Sequence, residues 1–151
     1  MNKLTIIAAT VLFISTPVYA QNSLNGAWRA TEMVVTGGNE AGIYTDVQSV
    51  IIFSETHFSM FTNLGDRPDS LSSAGQLNAE QLLNSFQSFN ANAGMYNVSG
   101  GRLIRQLEYS KSPLDIGSIV ESTYQRMGDT LIITTQNSDG VINRIIYTRA
   151  D

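Results

Sequence analysis

Short segments of alternating apolar and polar residues run from Gly26 to Arg149, and the first of them carries the only tryptophan, Trp28. Alternation with a period of two is typical of strands that bury one face. Trp28 near the start and Arg149 near the end can meet only if the sheet curls until its edges pair. Closure removes exposed edges and creates an interior that, at eight strands, holds side chains or one small ligand. The pattern therefore predicts a closed β-barrel with Gly26, Trp28 and Arg149 at its closure.

Eight strands are predicted from the alternation, and short polar links join most of them. Short links require antiparallel neighbours, and an antiparallel meander of this length can close as an up-and-down barrel. An open sandwich of the same strands is the alternative. The predicted strands cover residues 26–35, 47–53, 57–62, 94–99, 102–109, 118–127, 130–136 and 142–149.

One short helix is predicted over residues 78–89, between the third and fourth strands. Asn78 is a suitable N-cap, because its side-chain oxygen can accept from the first free backbone N–H groups. An apolar stripe at helical spacing then follows, formed by Leu82, Leu83, Phe86 and Phe89. The stripe favours a helix that caps one end of the barrel. A mobile lid over an open mouth is the alternative reading.

The first twenty residues have the organisation of a signal peptide. Lys3 provides a positive start, residues 4–14 form an uncharged apolar run, and Ala20 ends a small-residue cleavage site. The run is shorter than the roughly 20 residues that cross a bilayer, although a retained anchor helix is the alternative. We expect export to a bacterial periplasm or medium and one mature domain over residues 21–151, a typical domain length.

Composition argues against several classes of function. The net charge is −4, and Lys111 is the only lysine after residue 20, so the chain would repel a phosphate backbone and lacks a polybasic run for membrane surfaces. Cysteine is absent and His57 is the only histidine, which removes thiol chemistry and histidine-rich metal sites. We therefore expect no nucleic-acid partner, no stable membrane insertion after cleavage, no metal and no cofactor. The oligomeric state stays open.

From Leu24 onward the chain resembles the bacterial lipocalin-like domain family, one of the calycin barrels. The resemblance rests on residues 24–29 (LNGAWR), 93–98 (AGMYNV), 107–113 (LEYSKSP) and 124–131 (YQRMGDTL). It implies an eight-stranded barrel with one closed end, where Trp28 packs beneath Arg149. Members often carry a histidine on the strand before the Ser-x-x-Pro turn. This chain has residues 104–107 (IRQL) there, so no function of that imidazole is carried over.

The fifth predicted strand carries an arginine that can face the interior. One of its faces contains Leu103, Arg105, Leu107 and Tyr109. Both faces mix polar and apolar residues, but the three companions favour an inward Arg105. A buried arginine needs a partner, because an isolated buried charge is costly. That partner is either Glu32 or Glu121 in an internal ion pair, or the carboxylate of a ligand; a solvated outer face is the third reading.

A binding protein is the function that these features favour: an exported barrel that takes up a small apolar or amphiphilic molecule. The candidate wall residues are Tyr96, Leu103, Arg105, Leu107, Tyr109, Glu121 and Tyr124. Tyrosine suits a cavity wall because it combines flat apolar area with a hydroxyl, but tyrosines also favour sheet surfaces.

Two other functions stay open. One is a barrel enzyme of isomerase or cyclase type that acts on a lipid-like or polyketide-like substrate, with Glu32, Arg105, Glu121 or Tyr124 as acid–base groups. The other is an envelope protein whose barrel exterior meets a partner while its interior is merely packed. His57 adjoins a hairpin turn and favours a solvated position over a catalytic one.

Overall fold

The computed structural model describes residues 24–63 and 78–150. The predicted signal peptide, residues 1–20, lies outside these ranges. Within them, no helix combines the length and apolar character needed to cross a membrane.

Nine antiparallel strands form one sheet in the described ranges, and β1 pairs with β9 to close it. In chain order the elements are β1 (Gly26–Thr36), β2 (Gly42–Tyr44), β3 (Gln48–Phe53), β4 (His57–Asn63), α1 (Ala79–Gln87), β5 (Phe89–Ser99), β6 (Arg102–Ser110), β7 (Ile119–Met127), β8 (Thr130–Gln136) and β9 (Ile142–Arg149). The wall consists of β1 and β3 to β9, each paired with the next in the chain. The predicted eight-stranded antiparallel barrel is confirmed, and the open sandwich is excluded.

The strand β2 is an addition that the alternation does not predict. One edge of β1 pairs with β9 from Trp28 to Thr36, and the other pairs first with β3 and then, over Met33–Val35, with β2. Three residues are too few to show a period of two, so sequence reading misses β2. The predicted position of the helix between the third and fourth strands is therefore corrected: α1 lies between β4 and β5.

The helix α1 begins as predicted but does not bury its apolar stripe. Asn78 and Gln81 form a reciprocal capping box. The helix ends at Gln87, however, so Phe89 lies on β5. The other stripe side chains, those of Leu82, Leu83 and Phe86, are between 54% and 60% exposed, and no residue of α1 is buried. The expectation that this stripe packs against the barrel is wrong.

The barrel has two different ends. Hairpin turns at residues 54–56, 100–101 and 128–129 lie at one end, together with the start of β1 and the end of β9. The longer connections at 37–47, 111–118 and 137–141 lie at the other, together with the end of β4 and the start of β5. We call these the closed end and the open end. The apolar core fills the half of the barrel towards the closed end and includes Trp28, Ile51, Phe53, Phe58, Tyr96, Val98, Leu103, Leu131, Ile133 and Tyr147.

Candidate functional site

Trp28 plugs the closed end. Its side chain is 0% exposed, and its indole Nε1 donates to the carbonyl of Leu24 at 2.7 Å. The guanidinium carbons of Arg149 and Arg126 lie 5.2 and 5.5 Å from the ring centroid, within cation–π distance. Arg149 also donates to the carbonyl of Asn25 at 2.8 Å. The structure thus brings Trp28 and Arg149 together at the closure, with Gly26 at the start of the same strand.

Tyr96 belongs to the same plug. Its hydroxyl donates to the carbonyl of Ser54 at 2.8 Å, and its ring meets Phe53 edge-on at 4.9 Å. Burial, and to a lesser extent the proximity of Tyr124, raises the pKa of Tyr96 to about 12. This residue therefore packs the closed end, away from the mouth of the barrel.

This pKa shift predicts a loss of stability in alkali. The pKa of Tyr96 is raised from 10.0 to about 12 by folding, so the preference for its neutral form stabilises the fold fully below pH 10. That contribution is lost as the pH rises from 10 through about 12. We expect the urea concentration at the midpoint of unfolding, measured by circular dichroism, to fall as the pH rises from 10 to about 12. It should fall less steeply in Tyr96→Phe. Equal slopes for parent and variant would contradict the assignment.

Arg105 lies inside the barrel, at the boundary between its two halves. Its side chain enters from β6 and is only 6% exposed. Nη2 donates to Ser122 Oγ at 3.2 Å, Nη1 lies 3.8 Å from the sulfur of Met60, and the guanidinium carbon is 5.6 Å from the Phe58 ring centroid. Its Nε is buried and has no hydrogen-bond partner in the described part of the chain. The guanidinium therefore lies in the interior, and at least one of its five N–H donors, that of Nε, is unused among the residues that the structure describes.

Neither predicted carboxylate partner reaches Arg105. Glu121 lies on the outer face, where it pairs with Arg102 at 2.8 Å. Glu32 lies opposite Ile146, on the face away from the inward Tyr147. No carboxylate in residues 24–63 or 78–150 lies within ion-pair distance of Arg105. The predicted internal ion pair with Glu32 or Glu121 is wrong, and burial lowers the pKa of the Arg105 guanidinium.

Three hydroxyls complete a polar layer with Arg105. The hydroxyl of Tyr147 is hydrogen-bonded to the side chain of Ser49, and the two buried groups Tyr147 and Arg105 interact electrostatically. Burial raises the pKa of Tyr147, while Arg105 and Ser49 oppose that shift. Ser122 supplies the third hydroxyl. We call Arg105, Tyr147, Ser49 and Ser122 the floor.

Above the floor, towards the open end, the inner wall is polar and only half-buried. Strand register places Asn92 beside Met60, Asn90 beside Thr62, and Asn143 beside Thr135 on the inner face. Solvent therefore enters this part of the barrel, which we call the vestibule. Its polar residues are Thr62, Asn90, Asn92, Thr135 and Asn143, and its apolar ones include Met33, Met60, Val120 and Ile145. No three His, Cys, Asp or Glu side chains cluster as a metal site in the described ranges.

The structure divides the predicted wall residues into three groups, the first of which is Tyr96 alone, packed in the closed end. Leu103, Arg105 and Leu107 are buried inside, and Tyr124 faces inward and packs against the core. Tyr109 and Glu121 lie on the outer face, so their predicted place on the inner wall is corrected. Tyr109 is 72% exposed.

A β-bulge explains the position of Tyr109. The consecutive residues Ala93 and Gly94 pair with Tyr109 and Leu107, so Glu108 is an extra residue on β6. An extra residue reverses which face the following side chains occupy. For Glu121 the reason is register: it pairs with Ile104, next to the inward Arg105.

Sequence reading missed the hydroxyls and amides that surround Arg105. Ser49, Ser122, Asn90, Asn92 and Asn143 interrupt the apolar alternation on inner faces, and polar residues on strands usually face solvent. The only signal was the mixture of polar and apolar residues on both faces of several strands. Register with a strand of known facing was needed to place them.

No family model and no curated protein matches this chain. Among solved structures, it is similar to a lipocalin-like protein from Bacteroides uniformis at 12% identity, covering 83% of this chain and 97% of that one, with a TM-score of 0.47. It is similar to a redesigned β-barrel at 12% identity, covering 87% and 96%, with a TM-score of 0.49. An uncharacterized protein from Bacteroides eggerthii is 10% identical, covering 83% and 98%, with a TM-score of 0.46.

The fold can be read from the chain's own strand order. Eight antiparallel wall strands follow one another in sequence and close through β1 and β9, which is the up-and-down barrel of lipocalins. By fold, this chain is a closed eight-stranded up-and-down β-barrel, the architecture that its sequence resemblance implied.

Proposed function

We propose that this protein binds a small amphiphilic molecule inside its barrel and that Arg105 takes the anionic group of that ligand. The ligand enters through the open end and reaches the floor across the vestibule. The segment at residues 1–20 supports export of the protein to the periplasm or the medium as part of the same proposal.

One observation carries this function: a buried guanidinium without a carboxylate partner in the described ranges. Removing a charge from water is unfavourable unless an opposite charge or several hydrogen bonds replace the lost hydration. Among the described residues, Ser122 accepts one hydrogen bond from Arg105, and the Nε of Arg105 has no acceptor. An anionic ligand group supplies both the charge and the missing acceptor.

The lining favours an amphiphilic ligand over a purely apolar one. The apolar half of the interior is occupied by fully buried side chains such as Trp28, Leu103 and Leu131. The half that solvent enters combines half-buried apolar side chains with amides and hydroxyls. A purely apolar molecule would desolvate these groups without replacing their hydrogen bonds.

Arg105→Met tests the proposal, because methionine keeps the length of the side chain and removes its charge. We expect the protein to bind the anionic amphiphile 8-anilinonaphthalene-1-sulfonate, and Arg105→Met to bind it at least about tenfold more weakly, since a charge-assisted hydrogen bond is worth about 1.5–3 kcal/mol. Fluorescence titration measures both affinities.

Arg102→Met is the matched control for that experiment. Arg102 lies on the same strand but on the outer face, with its side chain 64% exposed, so its removal should leave the affinity unchanged. If the Arg102 and Arg105 variants bind the probe equally well, the interior is not the binding site.

The same substitution has a second expected result, an increase in stability. Burial disfavours the charged form of Arg105, and replacing buried ion pairs by apolar side chains is often neutral or stabilising by about 1–4 kcal/mol. We expect Arg105→Met to raise the free energy of unfolding by about 1 kcal/mol or more in urea. Lower stability would mean that Arg105 serves the fold instead of a ligand.

A further inference from the structure

Three side-chain amides of the vestibule have no hydrogen-bond partner among the residues that the structure describes. Asn90, Asn92 and Asn143 are half-buried, and none of their side chains bonds to another residue in the described ranges. Asn90 and Asn92 lie on β5, and Asn143 lies on β9, four strands away around the wall. Amide donors and acceptors therefore face the vestibule from opposite sides.

Each amide is close to the floor by register. Asn92 is opposite Met60, whose sulfur is 3.8 Å from Arg105 Nη1. Asn143 is opposite Thr135, whose hydroxyl lies 2.7 Å from the Ser122 hydroxyl that accepts from Arg105.

Asn90 is related to the floor in the same way. It is opposite Thr62, whose hydroxyl lies 2.8 Å from that of Ser49. The amides therefore form a second polar layer directly above the floor, on the path from the open end to Arg105.

We propose that the ligand is an amphiphile whose head group is a polyhydroxylated carboxylic acid of the sugar-acid type. Its carboxylate pairs with Arg105, and its hydroxyls bond to Asn90, Asn92 and Asn143. This inference rests on the proposed function and specifies its ligand class. The head enters first, and the alkyl part stays towards the open end.

Charge and hydrogen bonding both support this class. Arg105 is the only arginine or lysine among the buried residues in the described part of the chain, so it balances a singly charged carboxylate better than a doubly charged phosphate. A fatty acid would place its alkyl chain against the amides, which would lose water without gaining a partner. Sugar hydroxyls both donate and accept, and so can satisfy side-chain amides.

Three probes separate the contributions of charge and hydroxyls. Octyl β-D-glucuronide carries both, octyl β-D-glucoside lacks the charge, and decanoate lacks the hydroxyls. We expect calorimetric titration to give an affinity for the glucuronide at least about tenfold above those for the other two. In Arg105→Met, the glucuronide should bind no better than the glucoside.

Asn92→Leu tests the amide layer, and Asn97→Leu is its control on the same strand. Asn97 is exposed on the outer face of β5. We expect Asn92→Leu to weaken glucuronide binding at least about fivefold while decanoate binding is unchanged, and Asn97→Leu to alter neither. Thermal melting checks that both variants fold.

The outcomes distinguish the two proposals. If decanoate binds as tightly as the glucuronide and both depend on Arg105, the hydroxylated class is wrong and the barrel remains an anion-binding protein. If neither the glucuronide, decanoate nor the sulfonate probe binds in an Arg105-dependent way, both proposals fail.

Discussion

Gly94→Ala is expected to destabilise the barrel by about 3 kcal/mol or more, at the upper end of overpacking effects. A Cβ at this position would overlap the carbonyl oxygen of Gln106 and lie 2.8 Å from the amide nitrogen of Glu108. Both atoms belong to the backbone of the bulged segment of β6. They cannot move aside as a flexible side chain could, so β5 and β6 must separate. Urea unfolding followed by circular dichroism measures the loss.

Gly42→Ala provides the control. Gly42 also lies on a strand, but the atoms nearest to the added Cβ would belong to the Tyr44 side chain, the first at 3.6 Å, an ordinary contact distance. We expect a change within about 0.5 kcal/mol, as for most surface substitutions. If the two alanine variants are equally stable, the close approach of β6 to Gly94 is not part of the folded structure.

Trp28→Ala is expected to cost about 3–5 kcal/mol, the usual range for removing a buried large aromatic side chain. Trp28 is completely buried. Its removal leaves a cavity, frees the Leu24 carbonyl that accepts from the indole at 2.7 Å, and removes the ring on which Arg126 and Arg149 lie. The loss is measured by urea unfolding followed by circular dichroism. Tryptophan fluorescence cannot follow the unfolding of this variant, because Trp28 is the only tryptophan.

Trp28→Phe separates the contributions to that loss. Phenylalanine keeps an aromatic ring beneath the two arginines but cannot donate to Leu24. We expect an intermediate loss, smaller than that of alanine by about 1 kcal/mol or more. A Trp28→Ala variant as stable as the parent would show that the closed end does not depend on this plug.

The barrel itself was predictable because its evidence is repeated along the chain. Seven of the nine strands show alternation near their observed bounds, and β5 was predicted from residue 94 but begins at Phe89. Trp28 with Arg149 indicated which two strands meet. A local error at one strand does not change the topology when neighbours are joined by short turns. Only β2 was not predicted, because three residues are too few to show an alternating pattern.

The facing of individual side chains was less predictable. Leu103, Arg105 and Leu107 face inward as their shared phase suggested, whereas Tyr109, two residues further, faces outward. A bulge changes the phase without changing the composition of the strand. Its one trace in the sequence is Gly94 within the partner strand, since glycine inside a strand often marks a close backbone approach.

The candidate site was only partly visible in sequence. An inward arginine was predicted, but its proposed partners Glu32 and Glu121 were placed inside by residue type alone. Their facing depends on cross-strand register, which includes a second irregularity between Ala30 and Glu32. The predicted burial of the apolar stripe of α1 was wrong for a similar reason: amphipathicity tells which face of a helix is apolar, but not what covers that face.

The pairing of β1 with β9 has a consequence for biosynthesis. Residues 28 and 149 are partners, so a chain emerging from the ribosome lacks one of the two neighbours of β1 until the segment Ile142–Arg149 has been made. Until then both margins of the growing sheet present free backbone donors and acceptors, which favours association between nascent chains. Closure of the barrel therefore waits for the last strand, and until that strand is available both margins stay open to pairing with other chains.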